Sequence, residues 1–138
     1  MSETFILPTE QDMLDFGLPL SARLVDGGVV YLSGDLGVGK TTLVRGLLRA
    51  MGYAGRVKSP SYGLVESYEL ERLTVHHLDL YRLGDPGEIE FLGITDLLDE
   101  HSLLLVEWPE KGLGHLPPAA LRILIEDLPD QSRRLTLG

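Results

Sequence analysis

Val29-Val30-Tyr31-Leu32-Ser33-Gly34-Asp35-Leu36-Gly37-Val38-Gly39-Lys40-Thr41-Thr42 is the stretch that decides the fold. Its first four residues form a short continuous apolar run, the pattern of a strand buried on both faces. Residues 34–41 then satisfy G-x-x-x-x-G-K-S/T at every fixed position, a match that ordinary residue usage produces in roughly one chain in a few hundred of this length. Over residues 41–51, Leu43, Val44, Leu47, Leu48 and Met51 recur at helical spacing, and Gly52 is placed to end the helix. A strand, a glycine loop and a helix in that order are what phosphate binding requires. Glycines let successive backbone N–H groups turn toward an anion, and the helix amino terminus adds positive partial charge. In that reading the loop's backbone N–H groups point at a bound phosphate, Lys40 reaches the β- and γ-phosphates, and the Thr41 hydroxyl coordinates Mg²⁺. A glycine turn capping an ordinary helix is the competing reading, and the flanking elements weigh against it.

Working outward, Thr9 followed by Glu10, Gln11 and Asp12 reads as a capped helix start. The pattern predicts helix through Met13, Leu14 and Gly17 toward Leu24, kinked or broken at Pro19. Asp26-Gly27-Gly28 is a turn. Residues 63–70 and 73–80 are β-rich runs joined at Glu71-Arg72, a hairpin. Residues 86–101 read as helix or turn. Leu103-Leu104-Leu105-Val106 is a second buried strand ending in Glu107-Trp108-Pro109, and residues 121–126 and 134–137 read as further strands. Buried strands alternating with helices predict an α/β, P-loop NTPase-like three-layer sandwich with a mixed sheet: central parallel strands plus an antiparallel hairpin. At 138 residues the chain is expected to be a single domain over 1–138.

A phosphate loop needs a carboxylate to hold or orient Mg²⁺, usually at the end of a neighbouring buried strand. Glu107 follows four apolar residues, and Asp79 lies within the second hairpin strand; the pattern does not rank them. Ser59, Pro60, Ser61 and Tyr62 form a proline-stiffened loop that could respond to a γ-phosphate as switch loops do, although a plain turn fits equally well. Trp108, the single tryptophan, is placed either near a nucleotide or in the core. His76 and His77 lack a matching pair of ligands at metal spacing, which favours a core or strand-face role. The chain has neither an N/T-K-x-D sequence nor a D-x-x-G switch to read guanine, so ATP is expected over GTP.

Hydrophobic residues make up 43% and charged residues 24%, an ordinary globular balance. No cysteine is present, which removes disulfides, thiolate metal sites and cysteine nucleophiles. No apolar run exceeds four residues and the amino terminus lacks an export pattern, so a cytoplasmic location is expected. The net charge of −9 falls entirely in residues 61–138, and eight carboxylates lie between Arg82 and Lys111 with no Lys or Arg among them. Direct grip on a nucleic acid needs a positive stripe, so any role with nucleic acid is expected to be indirect. The acidic stretch reads as a solvated face or a docking face for a basic partner.

The ordered motifs resemble one family. Gly34-Asp35-Leu36-Gly37 with Gly39-Lys40-Thr41-Thr42, Val57-Lys58-Ser59-Pro60-Ser61-Tyr62, His77-Leu78-Asp79-Leu80-Tyr81-Arg82-Leu83, Glu90-Phe91-Leu92-Gly93 and Leu105-Val106-Glu107-Trp108-Pro109-Glu110 are similar to the bacterial TsaE (YjeE) family of small P-loop ATPases, from about Pro8 to Ile125. The resemblance implies binding of ATP or ADP with Mg²⁺ and work beside TsaD and TsaB subunits in making threonylcarbamoyladenosine in tRNA. TsaD would transfer the threonylcarbamoyl group, and tRNA would be met through the partners. It implies that Gly37 to Thr42 bind phosphates and that Thr41 and Glu107 hold Mg²⁺. Asp79 becomes a second essential acid, Trp108 lies near the nucleotide, and Glu10, ahead of the first helix, matches a nucleotide-contacting position. Ser61 stands where the family usually has threonine and keeps the hydroxyl; Pro19 departs by interrupting the first helix.

Two other functions share the loop. A small-molecule or nucleoside kinase needs an acceptor pocket and usually an arginine-rich lid, and the cation-free stretch between Arg82 and Lys111 argues against one. A nucleotide-sensing module would bind ATP without hydrolysing it.

Overall fold

The computed structural model describes residues 2–35, 37–60, 65–91, 93–112 and 114–138. At the middle of its sheet, β2 (Gly28–Ser33) runs parallel to β5 (Ser102–Glu107) on one side and to β6 (Leu121–Asp127) on the other. Beyond β5, β4 (Thr74–Asp79) is again parallel, and β3 (Val65–Glu69) returns antiparallel as its hairpin partner. Beyond β6, β7 (Arg133–Leu137) and then β1 (Glu3–Leu7) are each antiparallel to their neighbour. The order across the sheet is therefore β1-β7-β6-β2-β5-β4-β3.

Every residue of β5 is buried, because it is covered on both faces, which is why Leu103 to Val106 are continuously apolar. Val75, Leu103 and Leu105 pack with the helices that follow β1 and β2, whereas Leu78, Leu104 and Val106 pack with Ile89 and Ile94 on the opposite face. The expected mixed sheet between helical layers is present. One strand was not foreseen. Thr4-Phe5-Ile6-Leu7 has too short an alternation to announce β1, and its ladder exists only once β7 lies beside it.

The first helical segment differs from expectation. It is two helices, α1 (Glu10–Asp15) and α2 (Gly17–Arg23), meeting at Phe16 rather than breaking at Pro19. Pro19 sits in the first turn of α2, where its missing N–H would have had no helical partner anyway. Thr9 caps α1 reciprocally: its hydroxyl accepts from the Asp12 N–H at 3.2 Å, and its own N–H donates to the Asp12 carboxylate at 3.0 Å.

After the glycine loop comes α3 (Lys40–Ala50). Its end is a Schellman motif, with Gly52 at φ +99° and N–H groups of Gly52 and Tyr53 returned to Arg49 and Leu48 carbonyls. Gly17 and Gly46 let α1, α2 and α3 touch along their backbones. A Cβ on Gly17 would lie 2.1 Å from the Gly46 carbonyl carbon, and one on Gly46 would lie 2.2 Å from the Leu14 carbonyl oxygen. Residues 86–101 hold two single turns of helix, α4 (Glu88–Phe91) and α5 (Ile94–Leu97), divided at Gly93 with φ +66°. Among the described residues, no helix is long and apolar enough to cross a membrane.

Candidate functional site

Parallel strands bring their carboxyl ends to one side of a sheet, and side chains two residues apart share a face. Leu32 of β2, Glu107 of β5 and Asp79 of β4 lie in register across three such strands. The loop leaving β2 crosses directly to Lys40, so the strand-end carboxylates meet the start of α3. Gly37 at φ +81° and Gly39 at φ +106° hold a backbone path that L side chains rarely adopt. Gly39 is also crowded, since a Cβ there would sit 3.2 Å from the Met13 methyl carbon.

A cavity of about 250 Å³ is lined by Gly37, Gly39, Lys40, Thr41, Thr42, Ser59, Asp79, Glu107 and Trp108. All nine were singled out in the sequence, and they line one space. Val38 does not line it, and its side chain is buried in the core. Pro60 is buried beside Ser59; Ser61 and Tyr62 lie outside the described residues. Glu10 lies elsewhere. It is the first residue of α1 rather than a residue ahead of it, is exposed, and lines an adjoining cavity of about 260 Å³ with Thr9, Met13, Gln131 and Arg133. The two cavities share Gly37, Gly39 and Thr42.

Lys40 is only 5% exposed. Its ammonium donates to the Gly34 carbonyl at 2.6 Å, lies 3.8 Å from Glu107 Oε1, and stands 4.2 Å from the centre of the Trp108 ring. A buried cation needs such partners to offset the loss of water. Trp108 has φ +57°, an uncommon backbone conformation for a bulky residue. Its ring packs on Tyr81 at 5.0 Å, and Lys111 lies over Tyr81 in turn.

Three neighbours of the site carried no signal recognised in the sequence. His77 is fully buried and bonds Glu107 Oε2 through Nε2 at 2.5 Å, so it is more than a core residue. Its position two residues before Asp79 on one strand face was the available clue. Arg133, at the start of β7, donates to the Val38 carbonyl at 3.0 Å and pairs with Asp127 at 2.9 Å, tying the glycine loop to the far side of the sheet. Gln131, at φ +71°, belongs to the turn that presents Arg133. No sequence motif marks either one.

Burial raises the Asp79 carboxyl above the ordinary carboxylate range, and the Glu107 charge adds to it; the Tyr81 N–H, donated to Oδ1 at 3.0 Å, opposes the shift, as do His77 and Lys40. A carboxyl whose pKa is higher folded than unfolded stabilises the fold below the unfolded value, and that contribution is lost as pH rises through the folded value. Asp79→Asn, which keeps the acceptor for Tyr81 and cannot ionise, is therefore expected to gain thermal stability over the parent as pH rises from about 3.5 to 7. Melting curves across that range check this; a pH-independent difference contradicts it.

Thr41, Asp79 and Glu107 offer a hydroxyl and two carboxylates, hard oxygen donors of the kind Mg²⁺ takes. Among the described residues no three His, Cys, Asp or Glu side chains gather as a metal cage. The set therefore fits an ion held jointly by one or two protein oxygens and by substrate phosphates.

These features define an α/β protein with the P-loop NTPase-like fold. A family model described as "Threonylcarbamoyl adenosine biosynthesis protein TsaE" matches residues 7–135. The chain belongs to the TsaE family. It is 46% identical to the tRNA threonylcarbamoyladenosine biosynthesis protein TsaE of Haemophilus influenzae, over 99% of this chain and 89% of that one. It is 36% identical to the protein of the same name from Bacillus subtilis, over 80% of this chain and 68% of that one. The crystal structure of YdiB from Bacillus subtilis superimposes with a TM-score of 0.79 at 26% identity, covering 99% of this chain and 84% of that one.

Proposed function

We propose that the chain is a Mg²⁺-dependent ATPase subunit that works with TsaD and TsaB in making threonylcarbamoyladenosine in tRNA. The observation that carries this reading is the single cavity joining the glycine loop, Lys40 and Thr41 to Asp79 and Glu107. Backbone N–H groups of Gly37 to Thr42 and the Lys40 ammonium would hold the β- and γ-phosphates. Thr41 and Glu107 would hold Mg²⁺, which when bound neutralises charge building on the transferred phosphoryl group. Asp79, its carboxyl pKa raised by burial, would orient the attacking water. The adjoining cavity beside Glu10 and Gln131 extends from the same loop and would receive the nucleoside.

No arginine lines the Lys40 cavity among the described residues, and a charge-stabilising arginine is a large part of catalysis in such sites. Turnover by the isolated chain is therefore expected to be slow, with addition of TsaD and TsaB raising it by more than about tenfold. Phosphate release measured with and without those subunits tests this. A fast isolated ATPase contradicts partner completion, and a phosphorylated acceptor in place of free phosphate would favour a kinase. Competition titrations should rank ATP above GTP.

A further inference from the structure

The buried pair of His77 and Glu107 lies behind the cavity, on the β4 and β5 face that looks toward α3. His77 is 0% exposed and Glu107 is 3% exposed. A carboxylate only accepts hydrogen bonds, so the 2.5 Å contact to Glu107 Oε2 requires the proton on His77 Nε2. The other ring nitrogen, Nδ1, is buried with no hydrogen-bond partner among the described residues. The bond from Nε2 fixes the carboxylate. With Oε2 committed to His77, the plane of the Glu107 carboxylate is set, and Oε1 is the oxygen directed toward Lys40, 3.8 Å away, on the cavity side.

We propose that His77 is a positioning residue whose Nε2–H locks one oxygen of Glu107 and thereby presents the other to Mg²⁺ beside the phosphates. The inference rests on the reading of Glu107 as a Mg²⁺ ligand. Groups that hydrogen-bond a metal ligand orient it, and their removal typically weakens metal binding by about 10- to 100-fold. Glutamine at position 77 can place an amide N–H near the position of Nε2, whereas asparagine is too short and leucine has no donor.

The test is the Mg²⁺ dependence of ADP binding, measured by calorimetry as the ratio of the dissociation constant in excess EDTA to that in excess Mg²⁺, with direct Mn²⁺ binding by electron paramagnetic resonance as a second readout. His77→Leu is expected to reduce the ratio about tenfold or more while leaving ADP affinity in EDTA unchanged, and His77→Gln is expected to restore most of it. If His77→Leu does not fold, the comparison of His77→Gln with His77→Asn decides: equal Mg²⁺ dependence in the two overturns the proposal. Glu107→Gln separates the two layers of the argument. Should it leave Mg²⁺ dependence intact, the reading of Glu107 fails and the positioning role fails with it. Should it abolish that dependence while His77→Leu keeps the parental ratio, only the positioning role is overturned.

Discussion

Lys40→Ala is expected to reduce ATP turnover by about 10²-fold or more, the loss typical when one preorganised charge is removed from a developing oxyanion. Nucleotide affinity should fall as well, because the ammonium lines the cavity in which phosphates would sit. The sequence alone suggests that charge placement is the residue's whole role and that the fold is indifferent to its loss. The structure adds a second consequence. Lys40 is buried against Glu107 and the Gly34 carbonyl, so its removal leaves a buried carboxylate with His77 as its remaining close partner. The alanine variant should therefore fold with a lower melting temperature. Lys40→Met, which retains the stem but not the charge, should be equally inactive. Phosphate release, calorimetric titration with ADP and circular-dichroism melting together check these outcomes. Turnover within a factor of about three of the parent would remove Lys40 from the mechanism.

The largest expected effect on stability lies away from the chemistry. Gly46→Ala would place a methyl group 2.2 Å from the Leu14 carbonyl oxygen, a contact that only separation of α1 from α3 can relieve. Overpacking against backbone is costly, and a loss of about 3 kcal/mol is expected, equivalent to roughly 10 °C in melting temperature for a domain of this size. Gly52→Ala provides the contrast. Its Cβ would meet nothing within 4 Å, and the strain of φ +99° alone is left, worth about 1–2 kcal/mol. If Gly46→Ala melted no lower than Gly52→Ala, the close helix approach would not be the constraint argued here. The site should feel the change too, because α1 carries Met13 against Gly39 and Glu10 into the adjoining cavity.

What was legible in the sequence follows from how local its cause is. The glycine loop is visible because its backbone path needs glycine at fixed spacing, and β5 because a strand covered on both faces carries an unbroken apolar run, Leu103 to Val106. The strand-end position of Glu107 was readable for the same reason. β1 was hidden, since five residues at a sheet edge acquire their ladder only from β7 at the other end of the chain. The break at Phe16 was misplaced to Pro19 because proline is disruptive inside a helix yet harmless in a first turn. Arg133 was invisible because its target is a carbonyl 95 residues away. His77 is buried on a strand face as expected, but its bond to Glu107 was not foreseen, because a lone histidine on a strand discloses nothing about which side chain it faces.

The single tryptophan has a practical consequence. Trp108 stands with its ring centre 4.2 Å from the Lys40 ammonium and at van der Waals range of Tyr81. Indole emission excited at the red edge of its absorption therefore originates from one address, the rim of the cup. The chain carries an intrinsic optical gauge: quenching, spectral shift or anisotropy decay recorded without any label would describe this corner and nothing else in the molecule.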